Sequence, residues 1–263
     1  STQAKTLFPY TTLFRSTPTC EAAKQQALGP IDQITSGAVT TLTREEVDEW
    51  SARAHTLASD AIDGGILDTE KVAVTVDGAE VFADELPCRE FNMTNLSALT
   101  SFLGEDCTVT PGNQTGLTDG AAAMMICDPD FASLHGMTPL AEIVGWSVVG
   151  SEPERATDAA ITATRRALDG AGISTEAVDL YDVHDSYASI GIAYERSLNI
   201  SRDRLNVHGG GLALGHPYGA SGTRVAGTLI NELQRRGGEA CLSFIHLHAG
   251  VGEVFACPRQ RHQ

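Results

Sequence analysis

Between residues 140 and 256 short apolar runs alternate with stretches in which apolar residues recur every three to four positions, and this alternation leaves few architectures open. Strands are expected at 140–149, 178–183 (VDLYDV), 240–245 (ACLSFI) and 253–256 (EVFA), with helices at 153–171, 187–198 and 220–236. Strand and helix in turn specify an α/β layered fold, helices covering a sheet whose strands are joined by crossovers. The 220–236 helix is the best marked of these. Val225, Leu229 and Leu233 stand at four-residue spacing, Arg235 and Arg236 occupy the last turn, and Gly237 follows.

The first half reads differently. A capping box, Thr43 with Glu46, opens a helix whose face carries Val47, Trp50, Ala54, Leu57 and Ala61 and which stops at Gly64-Gly65. KVAVTV (71–76) reads as a strand, 83–110 as a loop excursion, and AAAMMIC (121–127) as a short buried strand. A boundary near Met137 would separate residues 17–137 from a second unit at 138–263. Residues 1–16, which end in KTLFPYTTLFRS (5–16), sit awkwardly beside the acidic, alanine-rich chain that follows. They read as a non-native leader rather than a targeting peptide.

Charge narrows the function. A formal net charge of -16 argues against nucleic acid and anionic membrane, since both are bound by Lys and Arg neutralising phosphates. No apolar run approaches the roughly 20 residues of a membrane span. Cysteines at 20, 88, 107, 127, 241 and 257 form no CxxC pair, which suits free thiols in a reducing compartment, the cytoplasm by default.

Chemistry concentrates in four places: NQTGLTDG (113–120), HDSY (184–187), GGGLALGHPYGASG (209–222) and HLH (246–248). The third spends six glycines on fourteen positions around His216, which implies positive φ angles or a backbone that closely approaches another group. His216 is either a loop residue capping a helix N-terminus or a general base and hydrogen-bond donor near neutral pH. No Lys follows the glycines as a Walker A phosphate loop demands. His246 and His248 share a strand face at a spacing that can ligate zinc, with His184 and His208 as further imidazoles, but nothing in their spacing requires a metal and none is expected.

Three ordered motifs carry a specific resemblance. NVHGGGLALGHPYGASGTR (206–224) resembles the histidine-bearing signature of the thiolase superfamily, TPGNQTGLTDGAAA (110–123) the strand closing its N-terminal domain, and HDSYA (184–188) its Asn-Glu-Ala-Phe motif in the His-Asp form of sterol-carrier-type thiolases. LTREEVDEWSARAH (42–55) fits the helix after the family's loop insertion, and the likeness runs from about Gly29 to the end. It implies a thiolase-like layered α/β fold, with a C-terminal βαβαβαββ-type domain at 138–263 and a remnant of the N-terminal domain at 17–137. It also implies acyl transfer on coenzyme A thioesters, by thiolytic cleavage or Claisen condensation.

By that resemblance His216 would activate a cysteine nucleophile and help hold the thioester oxyanion, and His184 would hold a water completing the oxyanion hole. Thr115, His248 and Gly250 would contact the coenzyme A thioester, a substrate rather than a tightly bound cofactor. His246 stands where the family has its acid/base cysteine, His248 where it has a glycine, and Ser186 where sterol-carrier-type enzymes can place a substitute cysteine. None of the six cysteines has the helix-terminal context of the family's nucleophile, so the chain is expected to be the C-terminal part of a longer, homo-oligomeric thiolase, inactive alone. A non-catalytic, thiolase-like CoA-binding protein and a histidine metallohydrolase are the competing expectations.

Overall fold

The computed structural model describes residues 42–101, 107–151, 155–247 and 251–258, with side chains up to 243. The leader expectation at 1–16 lies outside the described residues. Helix α1 (Arg44–Asp63) begins as the capping box specifies: the Glu46 amide donates to Thr43 Oγ1 at 3.2 Å and the Thr43 amide to Glu46 Oε2 at 2.7 Å. Val47, Trp50, Ala54, Ala58 and Ala61 form its buried face, and Gly64 caps its end. Leu57, expected on that face, is only half-buried.

The expected strand at 71–76 shrinks to β1 (Val74–Val76), which pairs antiparallel with β2 (Ala79–Val81). Asp77 and Gly78 between them both have positive φ, 51° and 81°. Two such residues make the turn whose twist matches a hairpin, and Asp-Gly is a pair that adopts it readily. Within the expected loop excursion, Asn92 caps a short helix α2 (Met93–Ser97) that buries Leu96 against the rest of the fold.

AAAMMIC departs most from expectation. Residues 121–127 pair with no strand among the described residues and lie exposed, Met125 at 75 %. An apolar run states a preference for burial, but a strand also needs a partner edge for its amides and carbonyls, and among the described residues none runs alongside. Cys127, expected to end a buried strand, is exposed for the same reason. A short helix α3 (Pro129–Leu134) follows, opened by Asp128 and Pro129.

The second half holds the main sheet. Strand β3 (Gly145–Val149) is shorter than the expected 140–149, and helix α4 (Ala156–Ala171) ends at Gly172, whose φ of 69° closes the helix in the left-handed region. Then come β4 (Leu180–Val183), α5 (Ala188–Leu198), α6 (Gly210–Leu214), α7 (Ser221–Arg236), β5 (Ala240–Leu247) and β6 (Val251–Pro258). The strand order is β3-β6-β5-β4, with β4 parallel to β5 and the other pairs antiparallel.

Period-two alternation sorts the faces of this sheet. Tyr181, Val183 and Leu242 join a core with α4, α5 and α1. Leu180 and Cys241, one position out of phase, pack instead against Leu229, Ile230 and Leu233 of α7. So α7 covers one face while α4 covers the other, with α5 and α1 packed into the same core as α4. Helix α1, although distant in sequence, belongs to the core of the second half through Trp50.

Candidate functional site

Strand β4 delivers His184, Asp185 and Ser186 from its C-terminal end into the interior, where all three are buried. The chain leaving α5 returns beside β4: the Tyr181 amide donates to the Arg204 carbonyl and the Asn206 amide to the Tyr181 carbonyl. Asn206, at φ 48°, clamps the strand's last residue with its side chain, accepting from the Val183 amide at 2.8 Å and donating to the Val183 carbonyl at 2.9 Å. Asn tolerates that left-handed backbone better than other non-glycine residues.

From there the glycines carry the chain through the tightest part of the fold. Gly209 and Gly210 have φ of 92° and 67°. A Cβ at Gly209 would strike α1 at Ala54 and Ala58, one at Gly210 the side chains of Asn206 and Asp185, and one at Gly211 the imidazole of His184. Both reasons for a glycine run, positive φ and close approach, therefore hold here.

Asp185 is the hub. Its Oδ2 accepts from Trp50 Nε1 at 2.8 Å and its Oδ1 from the Leu212 amide at 3.0 Å, joining α1 and α6 to the end of β4. Burial pushes its carboxyl up to about 6, against the pull of those hydrogen bonds. Asp182, on the α7 face, is pushed up to about 7 by burial, with the Arg224 guanidinium opposing.

His216 follows Gly215 and is fixed at three points. Its amide donates to the Gly116 carbonyl at 3.0 Å, its Nδ1 lies 2.7 Å from Ser221 Oγ at the start of α7, and its ring centroid is 4.2 Å from that of His184, tilted 40°. Tyr218 packs on it as well, with ring centroids 4.6 Å apart. The bland and the chemical reading of His216 meet here, since the residue does sit against a helix N-terminus while facing a second imidazole.

Thr115 is held beside this pair: its amide donates to the Ser186 carbonyl at 2.8 Å and its hydroxyl to the Gly211 carbonyl at 2.6 Å. The segments 113–117, 184–187 and 209–216, three of the four singled out in the sequence, thus converge. His246 lies in β5 opposite Gly252, while His248 and Gly250 lie outside the described residues. Among the described residues no group of three or more His, Cys, Asp or Glu side chains is placed to hold a metal ion. Sequence reasoning missed Trp50 as a partner of Asp185, and also Asn206, Ser221 and Tyr218. The last three were legible as members of the 206–224 motif, whereas Trp50 carried only a helical core signal.

The residues that build this site fall within spans matched by two models of one family, "Thiolase, N-terminal domain" over residues 21–130 and "Thiolase, C-terminal domain" over 137–257. Acetyl-CoA acetyltransferase of Chromobacterium violaceum is 37 % identical over 221 residues, 82 % of this chain and 56 % of its own length. Mitochondrial 3-ketoacyl-CoA thiolase of Homo sapiens is 35 % identical over 215 residues, 80 % of this chain and 54 % of its own. Among solved structures, acetyl-CoA acetyltransferase of Bacillus anthracis matches with a TM-score of 0.82 at 33 % identity, covering 90 % of this chain and 60 % of that one. Human mitochondrial 3-ketoacyl-CoA thiolase in complex with CoA gives 0.78 at 29 % identity, covering 90 % and 58 %. The chain spans just over half the length of the curated relatives it matches. With its motifs converging on one histidine pair inside an α/β layered fold of that type, the chain belongs to the thiolase superfamily.

Proposed function

We propose that this chain handles coenzyme A thioesters in thiolase-type acyl transfer, and that His184 and His216 are the residues that meet the thioester oxygen. The observation that carries this reading is the 4.2 Å pairing of their rings at the meeting point of the three motifs. Relatives and structural neighbours named for acetyl-CoA acetyltransfer, and a neighbour bound to CoA, support the substrate class.

Ser221 explains how one imidazole serves two tasks. A serine hydroxyl both donates and accepts, so it can satisfy His216 Nδ1 in either tautomer. With the proton on Nδ1, Nε2 is a base able to take a thiol proton. With the proton on Nε2, the same edge donates to a developing oxyanion. In thiolytic cleavage a cysteine thiolate adds to the 3-keto carbon, the bond between C2 and C3 breaks, and the departing acetyl-CoA carbanion takes a proton from an acid. The acyl group then passes from cysteine to the thiol of a second CoA. Thr115 is assigned to the pantetheine arm, its hydroxyl hydrogen turned to Gly211 and its oxygen still able to accept. His246, at the position of the family's acid/base cysteine, is assigned as a base near neutral pH, and His248 and Gly250 are assigned to contact with the coenzyme A thioester.

The nucleophile is assigned to thiolase sequence beyond the matched span. Cys241 packs into the α7 face of the sheet, Cys88 and Cys107 are half-buried, and Cys127 stands in the exposed 121–127 segment. The Cys88 amide donates to His55 Nδ1 at 3.2 Å, but burial holds that imidazole at about 4 and so uncharged near neutral pH, where it does not poise a thiolate as an imidazolium would. The cytoplasm is the compartment we assign, from the scattered cysteines, and no helix among the described residues is long and apolar enough to cross a membrane.

Two results are expected. Isothermal titration with acetoacetyl-CoA detects binding, and His216→Ala and His184→Ala each weaken it about tenfold, the loss of roughly one hydrogen bond. The purified chain mixed with acetoacetyl-CoA and CoA shows no loss of enolate absorbance. Unchanged affinity in both histidine variants would remove the oxyanion role, and turnover abolished by a single Cys→Ala change would locate the nucleophile within this chain.

A further inference from the structure

Tyr218 is held where its residue type is least at ease. Its φ is 37°, a region that glycine and asparagine enter readily and bulky residues rarely do. Pro217, in contact distance of Gly120, fixes the turn from the other side, since a Cβ on Gly120 would come within 2.9 Å of the proline ring. The strained residue spends its side chain on His216, with centroids 4.6 Å apart and rings inclined by 32°. Beneath it the two imidazoles are nearly sealed, His184 at 0 % and His216 at 4 % exposure, whereas Tyr218 is 56 % exposed. Tyr218 is thus the part of this ring cluster that faces solvent. Leu117, whose backbone pairs with His216, and Tyr187 at the N-cap of α5 complete the surroundings. Burial raises the Tyr187 phenol, and Tyr218 raises it further, which places the two phenols within electrostatic reach of each other.

We propose that Tyr218 is a specificity-determining cover over the histidine pair, admitting coenzyme A thioesters with short acyl groups and excluding longer ones. A thioester oxygen reaches His216 past this ring, so the width left beside it limits what accompanies the oxygen. The proposal rests on the thioester reading for its ligand class, but the covering of His216 does not depend on it.

Two arms separate the claims. Diethyl pyrocarbonate labelling followed by peptide mass analysis reads the accessibility of His216, with exposed His135 as an internal reference. In the wild-type chain His135 labels readily and His216 slowly. Tyr218→Asn removes the ring while keeping a residue that tolerates positive φ, and raises the His216 rate about tenfold relative to His135. Tyr218→Phe restores the protection, which assigns it to the ring and not to the hydroxyl. In the second arm, titration with acetyl-CoA and hexanoyl-CoA shows the ratio of hexanoyl to acetyl affinity rising about fivefold in Tyr218→Asn. Equal labelling in wild type and Tyr218→Asn, or faster labelling with an unchanged affinity ratio, overturns the proposal. Failure of both proteins to bind either thioester overturns the proposed function and the acyl selectivity with it, and the labelling arm still decides whether Tyr218 covers His216.

Discussion

Replacing Trp50 by alanine is expected to remove most of the stability of this chain. Trp50 is fully buried at the centre of the larger core, against Gly191 of α5, where its ring fills the space that any Cβ would need. Truncating a buried aromatic costs about 3–5 kcal/mol through lost transfer energy and the cavity left behind. The indole also donates to Asp185 Oδ2, so its removal strips one of the hydrogen bonds that compensate a buried carboxyl, at a further cost of about 1–3 kcal/mol. The sum approaches the 5–15 kcal/mol that typically separates folded from unfolded domains. Urea unfolding followed by circular dichroism should show the midpoint of Trp50→Ala collapse. Trp50→Phe, which keeps much of the ring and loses the donor, should lie between the two. A Trp50→Ala loss below about 1 kcal/mol would mean that α1 is not part of this core.

That residue marks where sequence reasoning reaches its limit. The helix carrying Trp50 was legible from Thr43, Glu46 and the spacing of apolar positions, because caps and faces are written locally. What Trp50 meets was not legible, since Asp185 and Gly191 lie far along the chain and nothing in their neighbourhood announces an indole. The same division runs through the site. His216, His184 and Thr115 were found as members of local motifs, and their convergence followed from a resemblance. Residues 121–127 failed in the opposite sense: composition alone stated a buried strand, but burial and pairing are supplied by other segments, and none described here supplies them. The Tyr218 turn was hidden for a third reason. Positive φ at a tyrosine contradicts local preference, so only the coordinates of its neighbours could reveal it.

The chain is also expected to be more stable at pH 5 than at pH 8, because its most perturbed buried carboxyls favour the protonated form. Asp182 has a folded value of about 7 and Asp185 of about 6, against 3.8 when unfolded. In both cases the folded state holds its proton to higher pH, so stability falls as pH rises from the unfolded value to the folded one. Between pH 5 and 8 Asp182 loses about 3 kcal/mol and Asp185 about 1 kcal/mol at 1.36 kcal/mol per unit. His55 works the other way. Burial holds it at about 4 against 6.5 when unfolded, so it adds about 2 kcal/mol as pH rises from 5 to 6.5 and nothing above. Glu232, which burial pushes up but Arg235, Arg236 and His208 hold at about 2 against 4.5 when unfolded, contributes little change above pH 5. The net change is on the order of 2 kcal/mol of stability lost, or roughly 4–8 °C in melting temperature for a chain of this size. Thermal unfolding at pH 5, 6.5 and 8 in one buffer system tests it, and the step from 6.5 to 8 reports Asp182 with His55 silent. Asp182→Asn, whichever way its overall stability moves beside Arg224, should flatten that step. A melting temperature that rises from pH 5 to 8, or a wild-type step that survives in Asp182→Asn, would show that the buried Asp182 does not govern the pH response.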